Sequence, residues 1–549
     1  MNKKIFLIGW DGATWNVLEP FIKRGWMPNL ARLVAEGLTS KLESVIPPLT
    51  APAWVSFMTG KNPGKHGIFD FRNFDSYTKK DYITNISYCR SKTIWEILTE
   101  SGKKSIVLNL PYMYPPLPIN GIVISGFDAI ASNNDFIYPE EIKKKILDRW
   151  PNYRPAMPVW DYRFIEDRSV AREYFLLAKQ SIETRIEVAD FLVNNYEWDI
   201  FLAHFQEIDY IQHAFWHEIE KIIDGKGSFL LKEIESFFKV LDSSLSKLPF
   251  FHKDENRISF LISDHGFGAH PGMIFPNVLL KRWGFLSSRE NFIPKIKHWI
   301  DKTLVLYKRF SLFRGRHLFF LFRSKKQRRR KSEWIVHEKM KTSIENLDID
   351  WKKTKAIMAT GDFYALIFIN RDIVKKDTYE AVVTQLKSLF KEAKHTNGEG
   401  PLFKFVFSSK EIYSWECDYN FMPDLILVPF HGYSVTRDIT TDRIVQYGFP
   451  GVSGIHRKDG ILVIQGICIK KDLHQFEAKI VDLSPTILYL LNLEIPFDMD
   501  GKVWQDVFTF QKNIAYSKVA SQKTSKQIIY SQAEEEKLKE KLKSLGYLQ

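Results

Sequence analysis

Short runs of consecutive apolar residues, each bounded by turn residues, recur along the chain. They are rich in Ile, Val, Leu and Phe and occupy 4–10, 105–110, 121–126, 199–205, 258–263, 424–429 and 460–466. Because the apolar positions are consecutive rather than alternating, the pattern predicts strands covered on both faces. Such strands are typical of a parallel or mixed sheet between layers of helices.

Helical periodicity fills several of the intervals between these runs. It predicts helices at 28–37, 172–195 and 484–493. Strands that alternate with helices indicate the α/β class, in which ligands bind at the carboxyl ends of the strands. Polar residues that directly follow a strand are therefore the first candidates for function.

The composition fits a large globular protein. The chain has 549 residues, of which 45% are hydrophobic, which allows one large domain with insertions and excludes disorder as its main state. Its three cysteines are widely spaced and without CxxC, so neither a disulfide framework nor a zinc knuckle is indicated. We find no signal-peptide core, and no apolar stretch near the ~20 residues that span a bilayer. We therefore expect a cytoplasmic protein, with peripheral contact at the inner face of a membrane left open.

Positive charge is concentrated in one region. The net charge of +13 favours anionic partners such as phosphorylated substrates, anionic lipid or nucleic acid. Much of it lies between 281 and 342, including SKKQRRRK at 324–331. We expect a basic helical insert packed on the protein. Association with an anionic membrane surface is the main alternative, and nucleic acid is less favoured because its sequence signatures are missing.

Acidic and imidazole side chains stand at the ends of three predicted strands and before a fourth. Taken singly, each is more often a cap, a turn residue or a salt-bridge partner. Together they supply oxygen and nitrogen donors suited to two divalent transition ions, zinc or manganese more than calcium or magnesium. The candidates are Asp11, Asp209, His213, Asp264, His265 and His456.

The spacing in IDYIQHAFWH at 208–217 supports this interpretation. Asp209 and His213 are four residues apart, so one helical turn places both on the same face. His217 continues that stripe, but one helix rarely donates three ligands, and we expect a supporting or surface residue there.

Thr50 is the candidate nucleophile. It follows a Pro-Pro pair and precedes AWVSFMTG, which could start a helix with its amides facing the site. A threonine hydroxyl is a poor nucleophile at neutral pH, and coordination to a divalent ion is one of the few ways to activate it. Without the metal candidates, a helix N-cap or a simple turn would be the preferred interpretation of Thr50.

Five motifs follow one another along the chain: GWDGATW (9–15), LTAPAW followed by MTGKNPGKHGIFDF (49–71), IDYIQHAFWH, SDHGFG (263–268) and SGIHRKDG (453–460). In this order they resemble the alkaline phosphatase superfamily, and within it the type I phosphodiesterase/nucleotide pyrophosphatase-like branch, including its predicted phosphohydrolase or phosphomutase group. Sulfatases of the superfamily need Cys or Ser followed by x-Pro-x-Arg. This chain has Thr50, Pro52 and Trp54, which disfavours a sulfatase.

This resemblance implies an alkaline-phosphatase-like fold, with a central, mostly parallel sheet between helices and with cap insertions. It implies that Thr50 forms a transient phospho-threonine. Nucleotide pyrophosphatases usually have Asn three residues after the nucleophile, where this chain has Ala53, so we expect the phosphate contacts to come from backbone amides near Ala51 or from Lys61. The resemblance also implies two divalent metal ions. One would be bound by Asp209, His213 and His456, and the other by Asp11, Asp264 and His265.

The resulting domain prediction is one catalytic domain at 1–508, with an aromatic cap at 129–170, the basic insert at 287–345 and a helical tail at 509–549. The expected function is a metal-dependent phosphoester hydrolase, more a phosphodiesterase than a monoesterase. Its substrate would be a phosphorylated small molecule, a nucleotide or a lipid-linked compound. A phosphomutase or phosphotransferase on the same fold, and a noncatalytic binder that uses the basic insert, remain as alternatives.

Overall fold

Strands and helices alternate along most of the chain. The computed structural model describes residues 3–129, 135–157, 167–251, 256–289, 344, 347–396, 398, 400–413, 421–448, 452–471, 473, 476–521 and 530–544. The strands are β1 Lys4–Trp10, β2 Leu38–Glu43, β3 Arg72–Asp75, β4 Lys80–Ile83, β5 Ser105–Leu110, β6 Gly121–Ser125, β7 Ile137–Tyr138, β8 Ile200–Phe205, β9 Arg257–Ile262, β10 Gly266–Ala269, β11 Gly272–Ile274, β12 Ala356–Thr360, β13 Ala365–Ile369, β14 Phe403–Ser408, β15 Leu425–Pro429, β16 Ser434–Val435, β17 Val445–Tyr447, β18 Gly454–Arg457, β19 Asp459–Gln465, β20 Ala478–Lys479, β21 Ile495–Pro496 and β22 Tyr516–Ser517. The α-helices are Trp15–Lys23, Pro28–Glu36, Thr50–Thr59, Pro63–His66, Ile94–Glu100, Glu140–Arg149, Arg168–Asn195, Glu207–Ile223, Leu231–Lys247, Pro276–Arg282, Lys376–Glu392, Ser409–Ile412, Leu483–Leu490 and Gln532–Ser544.

A nine-stranded sheet forms the main body, in the order β20-β2-β19-β9-β1-β8-β5-β6-β7. The strands β9, β1, β8, β5 and β6 are parallel to their neighbours within this group, whereas β19 and β7 run antiparallel to theirs. In β1 the side chains from Ile5 to Ile8 are fully buried, because helices cover both faces of the sheet. The prediction of a mostly parallel sheet between helices is confirmed.

A second hydrophobic core is formed by residues from β11 to β17 together with Phe69 and Phe74. It surrounds a four-stranded antiparallel sheet in the order β12-β13-β15-β14, on which the helix Lys376–Glu392 packs. The run at 424–429, predicted as a strand of the main sheet, forms β15 of this second sheet. A buried apolar run has the same pattern in either sheet, since its pairing partner is chosen by tertiary contacts.

Part of the predicted cap at 129–170 belongs to the main sheet. Ile137–Tyr138 forms its edge strand, and the following helix Glu140–Arg149 contributes Ile142 and Ile146 to the main core. Residues 130–134 and 158–166 lie outside the described residues. A cap over the site stays a prediction.

The two other predicted segments differ in what the structure describes. The basic insert at 287–345 lies outside the described residues except for 287–289 and 344. In the tail, the helix Gln532–Ser544 packs Leu538 and Leu542 into the main core. No helix in the described part of the chain is both long enough and apolar enough to cross a bilayer.

Candidate active site

Three adjacent parallel strands deliver polar residues to one edge of the sheet. β1 lies between β8 and β9 in the sheet. The residues that directly follow the three strands are Asp11 after β1, Gln206 after β8 and Ser263 after β9. The helix Glu207–Ile223 starts directly after β8, so its first turns stand at this edge. β18 pairs antiparallel with β10 and adds His456 opposite Phe267. The order of the strands therefore gathers residues that are far apart in sequence.

Asp209, His213 and His456 form the first group of potential metal ligands. Each offers one donor atom, and the three atoms lie within 4.8 Å of one another. His456 Nε2 is 3.2 Å from Asp209 Oδ1 and 3.0 Å from His213 Nε2. On the far side of each ring, His213 Nδ1 is 3.0 Å from the Gly454 carbonyl and His456 Nδ1 is 3.3 Å from the Pro48 carbonyl.

Asp11, Asp264 and His265 form the second group, with the same spread of donor atoms. His265 Nε2 lies 3.5 Å from Asp11 Oδ1 and 3.3 Å from Asp264 Oδ2. Gly12, at φ +67°, donates its backbone N–H to Asp264 Oδ1, and an added Cβ there would lie 3.2 Å from Asp209 Oδ1. Glycine is thus required both for the left-handed turn and for the close approach to the ligands.

The protonation of the three histidines suits metal binding. The Nδ1 of His265 lies 3.2 Å from the Gly266 carbonyl, as the Nδ1 atoms of the other two face carbonyls. A carbonyl oxygen only accepts hydrogen bonds, so each Nδ1 carries the proton and each Nε2 is left as the atom that accepts. Burial lowers the pKa of His213 to about 4 and of His456 to about 3, and it lowers the pKa of His265 well below its usual value. These imidazoles are therefore neutral at pH 7, the form that ligates metal ions.

The donor set fits two divalent cations. Two Nε2 atoms that both accept face each other across 3.0 Å in the first group. In the second group the buried Asp264 Oδ2 accepts no hydrogen bond from the described residues, and burial together with the Asp11 carboxylate raises the pKa of Asp264. A cation bound in each group would be coordinated by these acceptor atoms and would offset the buried negative charge of the carboxylates. The rings of His265 and His456 stack at 3.6 Å, so the two groups adjoin.

Thr50 lies beside the second group. Its Oγ1 is 3.2 Å from His265 Nε2 and 3.5 Å from Asp11 Oδ1, and the residue is fully buried. It is the first residue of the helix Thr50–Thr59, whose N-cap is Leu49. Thr50 is therefore not the N-cap, and its hydroxyl points at the ligands from a helix N-terminus, which favours bound anions.

Two residues that the sequence analysis did not single out contact Asp11 through Oδ2, the oxygen that does not face Thr50. Trp54 donates from Nε1 to Asp11 Oδ2 at 2.9 Å, and His204 Nε2 lies 3.0 Å from the same oxygen. A histidine inside the apolar run IFLAHF was a usable signal, since a buried polar residue in a strand needs a partner. Nothing in the local pattern singles out Trp54.

A loop of the second sheet also reaches the site. Phe363, in the loop between β12 and β13, is 3% exposed, and its ring centroid lies 4.5 Å from that of His456 and 5.7 Å from that of His213. The aromatic ring thus covers the first group of ligands on one side. His217, in contrast, is 46% exposed at its side chain and contacts Glu218, outside both groups.

Lys61 has a partner far along the chain. Its Nζ donates to Asp498 Oδ2 at 2.5 Å and to the Ser521 carbonyl at 3.2 Å, and the two charged side chains are 2% and 7% exposed. This buried ion pair ties the segment after the nucleophile helix to the chain around Asp498 and Ser521. The predicted contact of Lys61 with substrate stays a prediction.

Replacing Lys61 separates these two roles. Lys61→Met leaves the Asp498 carboxylate buried without its partner, so we expect a loss of about 3–5 kcal/mol in the free energy of unfolding. Chemical denaturation measures this loss, and the paired variant Lys61→Met with Asp498→Leu should recover much of it. We expect an unchanged KM in the folded fraction; a KM that rises while stability is unchanged would instead assign the lysine to the substrate.

Comparison with known proteins identifies the family of the chain. The profile of the family "Type I phosphodiesterase / nucleotide pyrophosphatase" matches residues 5–456. Phosphonoacetate hydrolase from Sinorhizobium meliloti 1021, in complex with phosphonoacetate, superposes with a TM-score of 0.53 at 14% identity, covering 89% of this chain and 95% of the hydrolase. Murine ectonucleotide pyrophosphatase / phosphodiesterase 5 gives a TM-score of 0.48 at 14% identity, covering 92% of this chain and 100% of that one. The predicted alkaline-phosphatase-like fold is confirmed, and the chain belongs to the type I phosphodiesterase / nucleotide pyrophosphatase family of phosphoester hydrolases.

Proposed function

We propose that the protein is a metal-dependent phosphodiesterase that uses Thr50 as its nucleophile. The observation that carries the proposal is the position of the Thr50 hydroxyl, 3.2 Å from His265 Nε2 and at the edge of a buried cluster of three carboxylates and three imidazoles. A hydroxyl held there approaches phosphorus from the side of the ligands. Family membership makes a phosphoester the expected substrate.

Two divalent ions bound by the two groups, zinc or manganese, would lower the pKa of the nucleophile and stabilise charge on the attacking and leaving oxygens. Asp209, His213 and His456 would hold one ion, and Asp11, Asp264 and His265 the other. Carboxylate oxygens and imidazole nitrogens are the donors that zinc and manganese accept.

The reaction follows as two displacements at phosphorus. Thr50 Oγ1 loses its proton and attacks, so a bond from Oγ1 to phosphorus forms while the bond to the leaving alcohol oxygen breaks. That oxygen takes up a proton. Water then attacks the phospho-threonine, the bond from Oγ1 to phosphorus breaks, and the threonine hydroxyl is regenerated as a phosphomonoester leaves.

Thr50 lies in a buried environment. All ten residues of the helix Thr50–Thr59 are buried, so the hydroxyl cannot turn towards bulk solvent. The N-terminal amides of this helix face the position of the transferred phosphoryl group, where negative charge is favoured. Phe363, in a loop of the second sheet, limits access to the first group of ligands.

The substrate class follows from the same features. The donor set and the helix N-terminus are suited to a phosphate diester of a small molecule, a nucleotide or a lipid-linked compound. Phosphonoacetate hydrolase has been solved with phosphonoformate, a small phosphorus-containing anion. We place this protein in the cytoplasm, where peripheral contact of its basic insert with an anionic membrane surface would bring it to lipid-linked diesters.

A substrate screen with defined metals tests the proposal. The purified protein is stripped with a chelator, reloaded with Zn²⁺ or Mn²⁺, and assayed on bis-p-nitrophenyl phosphate, p-nitrophenyl phosphate and nucleotide diesters. We expect metal-dependent hydrolysis that is faster for diesters than for monoesters. Inactivity of the protein loaded with two ions on every phosphoester would refute the proposal, whereas transfer of the phosphoryl group to an added alcohol or sugar would assign a phosphotransferase.

A further inference from the structure

One oxygen of Asp11 is occupied by two hydrogen-bond donors. Oδ2 lies 2.9 Å from Trp54 Nε1 and 3.0 Å from His204 Nε2, and both side chains are at most 1% exposed. A carboxylate oxygen offers about two lone-pair directions. With both directions used, Oδ2 is not available to a cation, and Oδ1 is the atom that faces Thr50 and His265.

We propose that Trp54 and His204 are positioning residues that hold Asp11 as a ligand through Oδ1 alone, and so place one ion against Thr50. The inference rests on the proposed two-metal function. It concerns residues that contact neither the ion nor the substrate and act through Asp11.

Trp54 links the ligand to the nucleophile. Thr50 and Trp54 are four residues apart on one helix, so both side chains project from the same face towards Asp11. The threonine hydroxyl approaches Oδ1 and the indole N–H holds Oδ2. The indole N–H therefore ties the carboxylate to the helix that carries the nucleophile.

His204 anchors the same carboxylate to the sheet. It lies in β8, in register with Gly9 of β1, and its Nδ1 is 3.1 Å from the Asn109 carbonyl oxygen. Both partner oxygens only accept hydrogen bonds, so the ring makes both contacts with an N–H on each nitrogen. It is then held at both edges, between the end of β5 and Asp11. The rings of Trp54 and His204 meet edge to face at 5.0 Å, so each fixes the other.

Gly9 leaves the space that the rings of Trp54 and His204 occupy next to Asp11. A Cβ added at Gly9 would lie 2.9 Å from Trp54 Cη2 and 3.1 Å from His204 Cδ2. Only glycine leaves this space two residues before Asp11. The strand, the helix and the histidine therefore form one arrangement whose shared contact is Asp11.

Metal binding, measured separately from catalysis, tests the inference. Stripped protein is equilibrated with buffered Zn²⁺ or Co²⁺, the bound ions are counted by mass spectrometry of the metal, and the Co²⁺ absorption spectrum is recorded. We expect wild type to bind two ions, and Trp54→Phe and His204→Met each to weaken one of the two by about 10–100-fold. His204→Gln, which keeps an N–H donor, should bind that ion more tightly than His204→Met.

Trp95→Phe is the matched control. Trp95 is fully buried, its Nε1 has no hydrogen-bond partner among the described residues, and it lies in the helix Ile94–Glu100. The same loss of an indole N–H should leave both ions bound, with an unchanged Co²⁺ spectrum. Melting temperatures of the metal-free proteins show which variants fold.

The possible results separate the inference from the function on which it rests. If wild type binds two ions, and Trp54→Phe and His204→Met bind both as tightly, the inference is wrong while the proposed function stands. Equal weakening of both ions, or equal binding by the Gln and Met variants of His204, would assign the effect to packing and also overturn it. Failure of wild type to bind two ions would overturn both proposals.

Discussion

Thr50→Ala is expected to lower kcat for phosphodiester hydrolysis by roughly four to six orders of magnitude, the scale seen when the nucleophile of a covalent mechanism is removed. The variant lacks the only atom that forms the bond to phosphorus, while the ligands and the helix are unchanged. Since position 50 is the first residue of a buried helix, alanine fits there without strain.

The comparison needs a control for metal content. Thr50→Ala should bind two ions and melt within a few degrees of wild type, and Thr50→Ser, which restores a hydroxyl, should recover part of the rate. Initial rates with a chromogenic diester measure the effect. Activity within tenfold of wild type in Thr50→Ala would remove Thr50 from the mechanism and leave direct attack by water.

Replacing one ligand from each group is expected to have the second largest effect. Asp264→Asn and His456→Ala each remove a donor from a different ion, and each should lower the hydrolysis rate on the order of a thousandfold, because an ion contributes several kcal/mol to transition-state stabilisation. The two variants should differ in which ion is lost, and each should retain one ion per chain.

His270→Gln is the matched control for the ligand variants. His270 is 8% exposed, its Nε2 lies 2.9 Å from Ser434 Oγ, and it belongs to neither group of ligands. This variant should retain two ions and nearly full activity. If Asp264→Asn and His456→Ala also retained two ions, the six residues would not be the metal ligands.

The main sheet could be predicted because its strands carry their own signal. Buried runs such as 258–263 are mostly apolar, with Ser259 and Ser263 as the polar positions. The residues that follow such a strand lie at the carboxyl edge of the sheet. Asp264 and His265 were found by that rule alone. The run at 424–429 shows the limit of this rule, because a similar apolar run pairs with β13 and β14 in the second sheet instead.

The rest of the site depends on contacts between residues that are distant in sequence. His204 meets Asp11 across 193 residues, and Lys61 meets Asp498 across 437. The position of Lys61 beside a glycine turn predicts a phosphate contact, whereas its buried partner Asp498 is visible only in the fold. Trp54 and Phe363 look like ordinary core aromatics in sequence, since only the fold shows that one donates to a ligand and the other covers two imidazoles.

The stereochemical course at phosphorus tests the central claim most directly. A diester made chiral with sulfur and an oxygen isotope is hydrolysed, and the configuration of the product is determined. Two successive in-line displacements, the first by Thr50 and the second by water, predict retention of configuration. Inversion would show a single displacement by water and would contradict the proposed role of Thr50.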